Sequence, residues 1–380
     1  MRLGYITSSI VQGQAAAGRL ARMIELHDRS QFEPSVIVTD EFTQRTPARP
    51  WLRWPDAPSH RVGADLIRRI EATGVAVRAV PTTGDYLGGG RVAIEMARAM
   101  ELDIAVYIAS PACPIQAAMA WARVAPVQIN QNIAVPMPIA GMDAVLYHNA
   151  WCASDDRAEL DRRGIQSLTV AGNGTDTAAA ERAVAVDRPR LGVPREAVLL
   201  ATAGNHLPGR LMYGSFVRDL AVFMTSEPRV WWMAVGPGDF SSVRNVLGQA
   251  GGPDVARRCV FVGPQPDIRP HIKAADIYLN EYPEGGANTV LEAMACGVPA
   301  VAMRAGLRHT ESIGAALVGE EWGIGAADPA AYWRMAASWS ADADQRCAAA
   351  TVQSRRAHHE LTYEAVRADY ERCYLSMLGV

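Results

Sequence analysis

Short apolar runs alternate along the chain with longer stretches in which apolar positions recur at helical spacing. The runs are Leu3 to Ile6, Ser35 to Val38, Val75 to Val80, Ile104 to Ile108, Pro126 to Ile129 and Ala144 to Tyr147, and the helical period marks Gln14 to Leu26, Ala64 to Ala72, Val92 to Glu101 and Ser154 to Arg163. A continuous apolar run without alternation is the pattern of a strand buried on both faces. Strands that alternate with helices build a parallel, doubly wound sheet. Around residues 171 to 195 the pattern breaks into Ala-Gly-Asn-Gly-Thr-Asp and a Pro- and Arg-rich stretch ending at Val193-Pro194, which reads as a linker. Alternation restarts with Val198 to Ala201, Val230 to Val235, Val260 to Val262, Ile277 to Leu279 and Ala300 to Met303, predicting a second sheet. From Ala330 to Met377 the pattern is helical, with Thr362 as N-cap of the last helix and Glu364 in its first turn. The expected organisation is a first α/β domain over 1–172, a linker over 173–195, a second over 196–355, and a C-terminal helix within 356–380 that packs back toward the first domain. Ligands of open α/β sheets bind beyond the carboxyl ends of the strands, so two such domains facing a cleft put function in the loops after strands.

Composition removes several alternatives. With 49% hydrophobic and 20% charged residues the chain falls in the globular range, so disorder is a poor description. A formal net charge of −3 gives no global positive field for nucleic acid or anionic membranes. Lys273 is the only lysine, which reads as coding bias toward G and C. The six cysteines (Cys113, Cys152, Cys259, Cys296, Cys347, Cys373) form no C-x-x-C pair, so neither a zinc site nor a disulfide framework is expected. A reducing cytoplasm fits that usage. No stretch approaches the roughly 18 apolar residues of a membrane span, and the chain opens on a strand pattern where a signal peptide needs a basic and then an apolar segment.

The segment Asp276 to Met303, D-I-Y-L-N-E-Y-P-E-G-G-A-N-T-V-L-E-A-M-A-C-G-V-P-A-V-A-M, is the most informative. Its pattern is strand, Gly-rich loop, helix, Gly-x-Pro turn, strand. Gly285 and Gly286 let the backbone approach a ligand, and a helix beginning at Ala287 or Asn288 aims its free N–H groups and positive dipole end at the same spot. That arrangement suits a diphosphate. Asn288 and Thr289 add side-chain donors, Glu292 can reach ribose hydroxyls from the same helix face, and Glu284 stands at the loop's edge where a sugar would sit. The competing interpretation is a packing turn with two surface glutamates.

Glu284 and Glu292 are spaced as in the Glu-x7-Glu motif of the retaining glycosyltransferases of GT-B fold, which the ending E-A-M-A-C-G-V-P-A-V also resembles. The resemblance implies two Rossmann-like domains, a nucleotide-sugar donor, the donor sugar beside Glu284 and the ribose on Glu292. It extends to Asn173-Gly174-Thr175-Asp176-Thr177, similar to that family's linker, and to the strand-end glycines of Val235-Gly236-Pro237-Gly238 and Val260-Phe261-Val262-Gly263, with Gly263 on the donor side. In the loop Gly204 to Arg210 the family places an Arg and, five residues on, a Lys, both on the donor phosphates. Here the positions hold Asn205 and Arg210. Arg210 keeps a cation able to grip phosphate bidentately, unless it is a solvated surface arginine. Asn205 offers only a neutral donor, and His206 either compensates or is a plain loop histidine.

A second resemblance lies in R-L-G-Y-I-T-S-S, in E-L-H-D-R-S-Q-F-E (Glu25 to Glu33) and in A-P-V-Q-I (Ala125 to Ile129), which are similar to the catalytic region of O-linked N-acetylglucosamine transferases. It agrees on an acidic ribose ligand at Glu292 but implies inversion. That family has a His where this chain reads Val11-Gln12-Gly13-Gln14, and superhelical repeats that this sequence does not contain, so a protein acceptor is not implied. In either family the loop Gln12 to Gly18 faces the cleft, where Gly13 and Gly18 serve sugar contact or a plain turn with close helix packing. Asp85, in Thr83-Gly84-Asp85-Tyr86-Leu87-Gly88-Gly89-Gly90, sits in a second flexible loop, as an acceptor contact or a solvated aspartate. Gln131 and Asn132 stand where retaining relatives often have a His, and amides cannot act as general bases.

The expectation is therefore a retaining, metal-independent glycosyltransferase, with no cofactor besides its donor substrate and an acceptor and oligomeric state that the sequence does not select. Three alternatives stay open. They are an inverting transferase, a nucleotide-sugar 2-epimerase, and a non-catalytic nucleotide-sugar-binding protein.

Overall fold

A computed structural model describes residues 1–10, 15–39, 63–81, 86–108, 113–131, 140–148, 150–304, 314–319, 321–324 and 327–379. Contacts divide the chain into one unit of Met1–Val170 with Val366–Val380 and another of Ala171–Ala365.

In the first unit, strands β1 (Arg2–Thr7), β2 (Glu33–Val38), β3 (Val77–Ala79), β4 (Ile104–Ile108), β5 (Val127–Gln131), β6 (Ala144–Tyr147) and β7 (Gln166–Thr169) form a sheet in the order β3-β2-β1-β4-β5-β6-β7. Every neighbouring pair is parallel. The apolar runs are continuous because both faces are covered. Leu3, Tyr5, Val36, Val38, Ile104 and Val106 bury one face with Leu20 and Ile24 of α1 (Ala15–Leu26) and Ile70 of α2 (Ala64–Ala72). Ile6, Ile37, Ala105 and Tyr107 bury the other with Ala93 and Ala97 of α3 (Tyr86–Ala99), Ile115 and Met119 of α4 (Pro114–Trp121) and Leu160 of α5 (Ala150–Arg163).

The second unit repeats the plan. Strands β8 (Val198–Ala203), β9 (Val230–Val235), β10 (Cys259–Gly263), β11 (Ile277–Leu279), β12 (Ala300–Met303) and β13 (Gly323–Ile324) lie in the order β10-β9-β8-β11-β12-β13, again parallel. That is the doubly wound order whose direction reverses between β8 and β11. Helices α6 (Thr177–Arg182), α7 (Leu207–Met212), α8 (Phe216–Ser226), α9 (Ser241–Arg257, kinked at Gly252-Pro253), α10 (Arg269–Lys273), α11 (Ala287–Ala295), α12 (Gly314–Val318), α13 (Pro329–Ala341) and α14 (Ala343–His359) surround it. Its core runs from Leu200 and Trp232 to Tyr332 and Trp339. The last helix, α15 (Tyr363–Leu378), starts as expected: Thr362 Oγ1 accepts from Ala365 N at 3.1 Å.

Three local differences from the expected pattern have physical causes. Residues 86–90, read as flexible loop because of three successive glycines, open α3 instead. A Cβ on Gly90 would meet Ala118 Cβ of α4 at an ordinary contact distance of 3.8 Å, and packing of α3 overrides its weak helix propensity. The stretch read as a linker folds α6, capped by Asp176 Oδ1 on Ala179 N at 2.9 Å, and a 3-10 turn over Arg188–Leu191. Arg188 fixes that turn through Ala274 O, Ala197 O and Asp276. Strands β7 and β13 are edge strands with little apolar signal.

Candidate donor site

The two strands at the reversal of order, β8 and β11, each run into a loop and then a helix: Gly204-Asn205-His206 into α7, and residues 280–286 into α11. Tyr278 Oη contacts both Ala203 N and Ala203 O at 3.2 Å and ties the two strand ends together. Further along the edge, Gly204 N donates to Val235 O and Gly236 N to Gly263 O, each at 3.0 Å. A Cβ on Gly236 would stand 2.1 Å from Gly204 O, so the residue must be glycine for β8 and β9 to end side by side. Gly263 turns at φ 80°, in the left-handed region.

Helix α11 starts at Ala287 behind Gly286, which has no side chain to cap it. Its first-turn N–H groups and the positive end of its dipole therefore face forward without a side-chain partner, a natural seat for an anion. The Arg210 guanidinium lies at the same place: a Cβ on Gly286 would be 3.3 Å from Nη1, and one on Gly204 would be 2.1 Å from Nη2. Arg210 Nη2 is 2.6 Å from Oε1 of Glu281, whose side chain is entirely buried while Arg210 keeps 21% exposure. Burial pushes the Glu281 carboxyl up to about 6, with Arg210 pulling against it.

One turn along α11, Glu292 meets Arg269 from the start of α10, with Arg269 Nε to Oε2 at 2.6 Å and Nη2 to Oε1 at 3.1 Å. Arg269 Nη1 also contacts Asp267 Oδ1 at 3.2 Å. Burial raises the Glu292 carboxyl above its ordinary value, and the facing guanidinium offsets part of that.

Residues 216–334 match the family described as Glycosyl transferases group 1. No curated protein matches. Among solved structures, a mutant O-GlcNAc transferase of Thermobaculum terrenum aligns with a TM-score of 0.72 at 18% identity over 99% of this chain and 67% of its own. Anabaena HepE in complex with UDP and glucose aligns at 0.66 and 15% identity over 99% of this chain and 100% of its own. A glycosyltransferase from Rickettsia africae aligns at 0.67 and 12% identity over 99% and 98%. The chain shares the two-sheet GT-B fold of these solved glycosyltransferases.

Within this fold the structure gathers Arg210, Gly285, Gly286, Ala287, Asn288, Thr289 and Glu292 around the reversal of strand order. Several of them have intramolecular work that the sequence did not announce. A Cβ on Gly285 would lie 2.5 Å from the Asn280 amide and 2.6 Å from Glu281 O, so packing demands that glycine. Thr289 Oγ1 donates to Gly286 O at 3.1 Å, and Asn288 Oδ1 accepts from Asn173 Nδ2 at 3.1 Å. Glu292 is held by Arg269. Glu284 is half-buried and, among the described residues, makes no hydrogen bond or ion pair. Asn205 and His206 are exposed in the loop after β8, and His206 precedes α7 without a side-chain cap.

On the first unit, Gln131 is buried at the end of β5 and donates to Tyr370 Oη at 3.0 Å. Gly18 lies in α1 with nothing described within 4 Å of a Cβ, so no close helix packing requires it. Gln12, Gly13, Asp85 and Asn132 lie outside the described residues. Among the described residues no cluster of His, Cys, Asp and Glu could hold a metal ion, and no helix is long and apolar enough to cross a membrane. Sequence reasoning missed Glu281 and Arg269. The only signal for the first was a carboxylate directly after a buried strand, and for the second an arginine opening the short helix ahead of β11.

Proposed function

We propose that the chain moves a sugar from a nucleotide-sugar to an acceptor hydroxyl with retention at the anomeric carbon. The observation that carries this is the Arg210 guanidinium beside the uncapped first turn of α11, a cation and a helix N-terminus converging on one spot. Together they offset the charge of a diphosphate without a divalent ion, and the negative charge that grows on it as it departs. The bond from the anomeric carbon to the diphosphate oxygen breaks, a bond to the acceptor oxygen forms on the same face, and the acceptor proton passes to the departing diphosphate. Glu284 orients the sugar, and Glu292, released from Arg269, takes the ribose. The solved HepE complexes with UDP and with UDP-glucose support a uridine diphosphate donor as the first to try. The reducing cytoplasm is the compartment that the scattered cysteines suit.

A thermal-shift screen of UDP-, GDP- and ADP-sugars, followed by mass spectrometry of acceptor mixtures in EDTA, tests the proposal. Binding of one donor class with chelator-resistant transfer, and an unchanged anomeric configuration by NMR, is the expected result. Donor isomerisation without acceptor would replace transfer with epimerisation, and binding without turnover would leave only a binding protein.

A further inference from the structure

Glu281 has no part in the reaction just described, yet its carboxylate has no exposed surface at all. A carboxylate is rarely left in such a place without a cation. The cation is Arg210, 2.6 Å away and carried by helix α7. Arg210 Nε and Nη2 are also shut off from solvent, and Nη2 packs against Gly204. The remaining nitrogen, Nη1, stands beside Gly286 at the first turn of α11.

We infer that Glu281 is a positioning residue: its buried carboxylate fixes the Arg210 guanidinium against Gly204, so that Nη1 is already aimed at the seat of the diphosphate. The inference rests on the donor-site reading above. A free arginine side chain samples many rotamers, and each must be given up when it grips a phosphate. Glu281 removes that cost before the ligand arrives. The same carboxylate also repels the incoming anion, and the two effects oppose each other. Positioning wins because the inner side of the guanidinium is buried: without its partner it becomes an uncompensated buried charge, and it leaves for solvent and away from the helix terminus.

Kd values for whichever of UDP, GDP or ADP binds the parent protein tightest, and for the matching nucleoside, decide the matter at fixed pH. Glu281→Ala is expected to raise the diphosphate Kd about tenfold while leaving the nucleoside Kd unchanged. Glu281→Gln, which keeps an acceptor oxygen and the side-chain volume, loses less and carries the test if the alanine variant does not fold. In an Arg210→Ala background, Glu281→Ala has no further effect, because it acts through that arginine. A merely structural role would weaken nucleoside and diphosphate together and persist without Arg210. An unchanged or lower diphosphate Kd in both Glu281 variants, with Arg210→Ala still impaired, overturns the positioning role alone. If Arg210→Ala leaves the diphosphate Kd unchanged, the donor-site reading itself falls.

Discussion

Glu284 sits half-buried at the edge of the Gly-rich loop with no hydrogen bond or ion pair among the described residues, while Glu281, three positions earlier, is fully buried and ion-paired. A carboxylate without an internal partner is available to a ligand. Glu284→Gln is therefore expected to lower kcat by about 100-fold through lost orientation of the anomeric carbon, with the Kd of the free nucleotide unchanged. Transfer at the parental rate would end the assignment. Glu281 gives a prediction of another kind. Its folded value of about 6 lies above the ordinary 4.5, so it favours the folded state fully below about 4.5, and that contribution is lost as pH rises through 6. The difference corresponds to about 2 kcal/mol. Denaturant unfolding of the parent and of Glu281→Gln should show the parent losing about that much relative to the variant between pH 4.5 and 7, and a difference that stays flat with pH would mean the carboxyl is not shifted. The two residues also mark what the sequence could say at this scale. Glu284 and Glu292 are legible through their spacing on one loop and helix, whereas the Glu281 partner lies 71 positions earlier in the chain. No local pattern announces such a pair. The hold of Arg269 on Glu292 was hidden for the same reason.

At the scale of elements, the strands were legible wherever both faces are buried, as in β1, β4 and β8, because burial on both sides leaves an unbroken apolar run. Edge strands β7 and β13 lack that constraint, and the opening of α3 contradicts its own glycines. The loop between β11 and α11 was legible as Gly-rich, but the sequence could not tell a glycine required by packing from one required by a ligand. The structure shows where packing requires one. At Gly285 a Cβ would meet the Asn280 side chain and, at 2.6 Å, the Glu281 carbonyl oxygen, and backbone cannot yield as a side-chain end can. At Gly286 the contacts are Thr289 Oγ1 and the Arg210 guanidinium, both ends of side chains. Gly285→Ala is expected to cost about 1–3 kcal/mol in denaturant unfolding by forcing the loop to shift. Gly286→Ala should cost less stability but displace Arg210 and weaken diphosphate binding. Equal stability losses in the two variants would mean that packing does not distinguish the two positions.

At the scale of the whole chain, the first unit is built from both ends of the sequence. Its core takes Val366, Tyr370 and Tyr374 from α15, and its buried polar bonds run from Tyr5 Oη to His27 Nε2 at 2.6 Å and from His27 Nδ1 to Glu371 Oε1 at 2.8 Å. The helical pattern of the last segment was visible in the sequence, and so was its cap, but these long-range partners were not. The core of the second unit runs from Val198 to Ala349 and shares no residue with the two clusters of the first. Separate cores should respond separately to damage, and Tyr374 is the place to apply it. Its ring is fully buried, edge-on to Phe32 at 6.4 Å between centroids, with its hydroxyl 3.4 Å from that of Tyr5. Tyr374→Ala removes a large aromatic from a closed core and is expected to cost the first unit about 3–5 kcal/mol. Hydrogen exchange reads the damage strand by strand, since each amide reports the opening of its own cooperative unit. Amides of β1, β2 and β4 should exchange faster, those of β8, β9 and β11 should keep their protection, and the Kd of the free nucleotide diphosphate should not move. Parallel loss of protection in both sheets, or weakened nucleotide binding at a temperature where the variant stays folded, would mean that the stability of the second unit depends on the first unit's core.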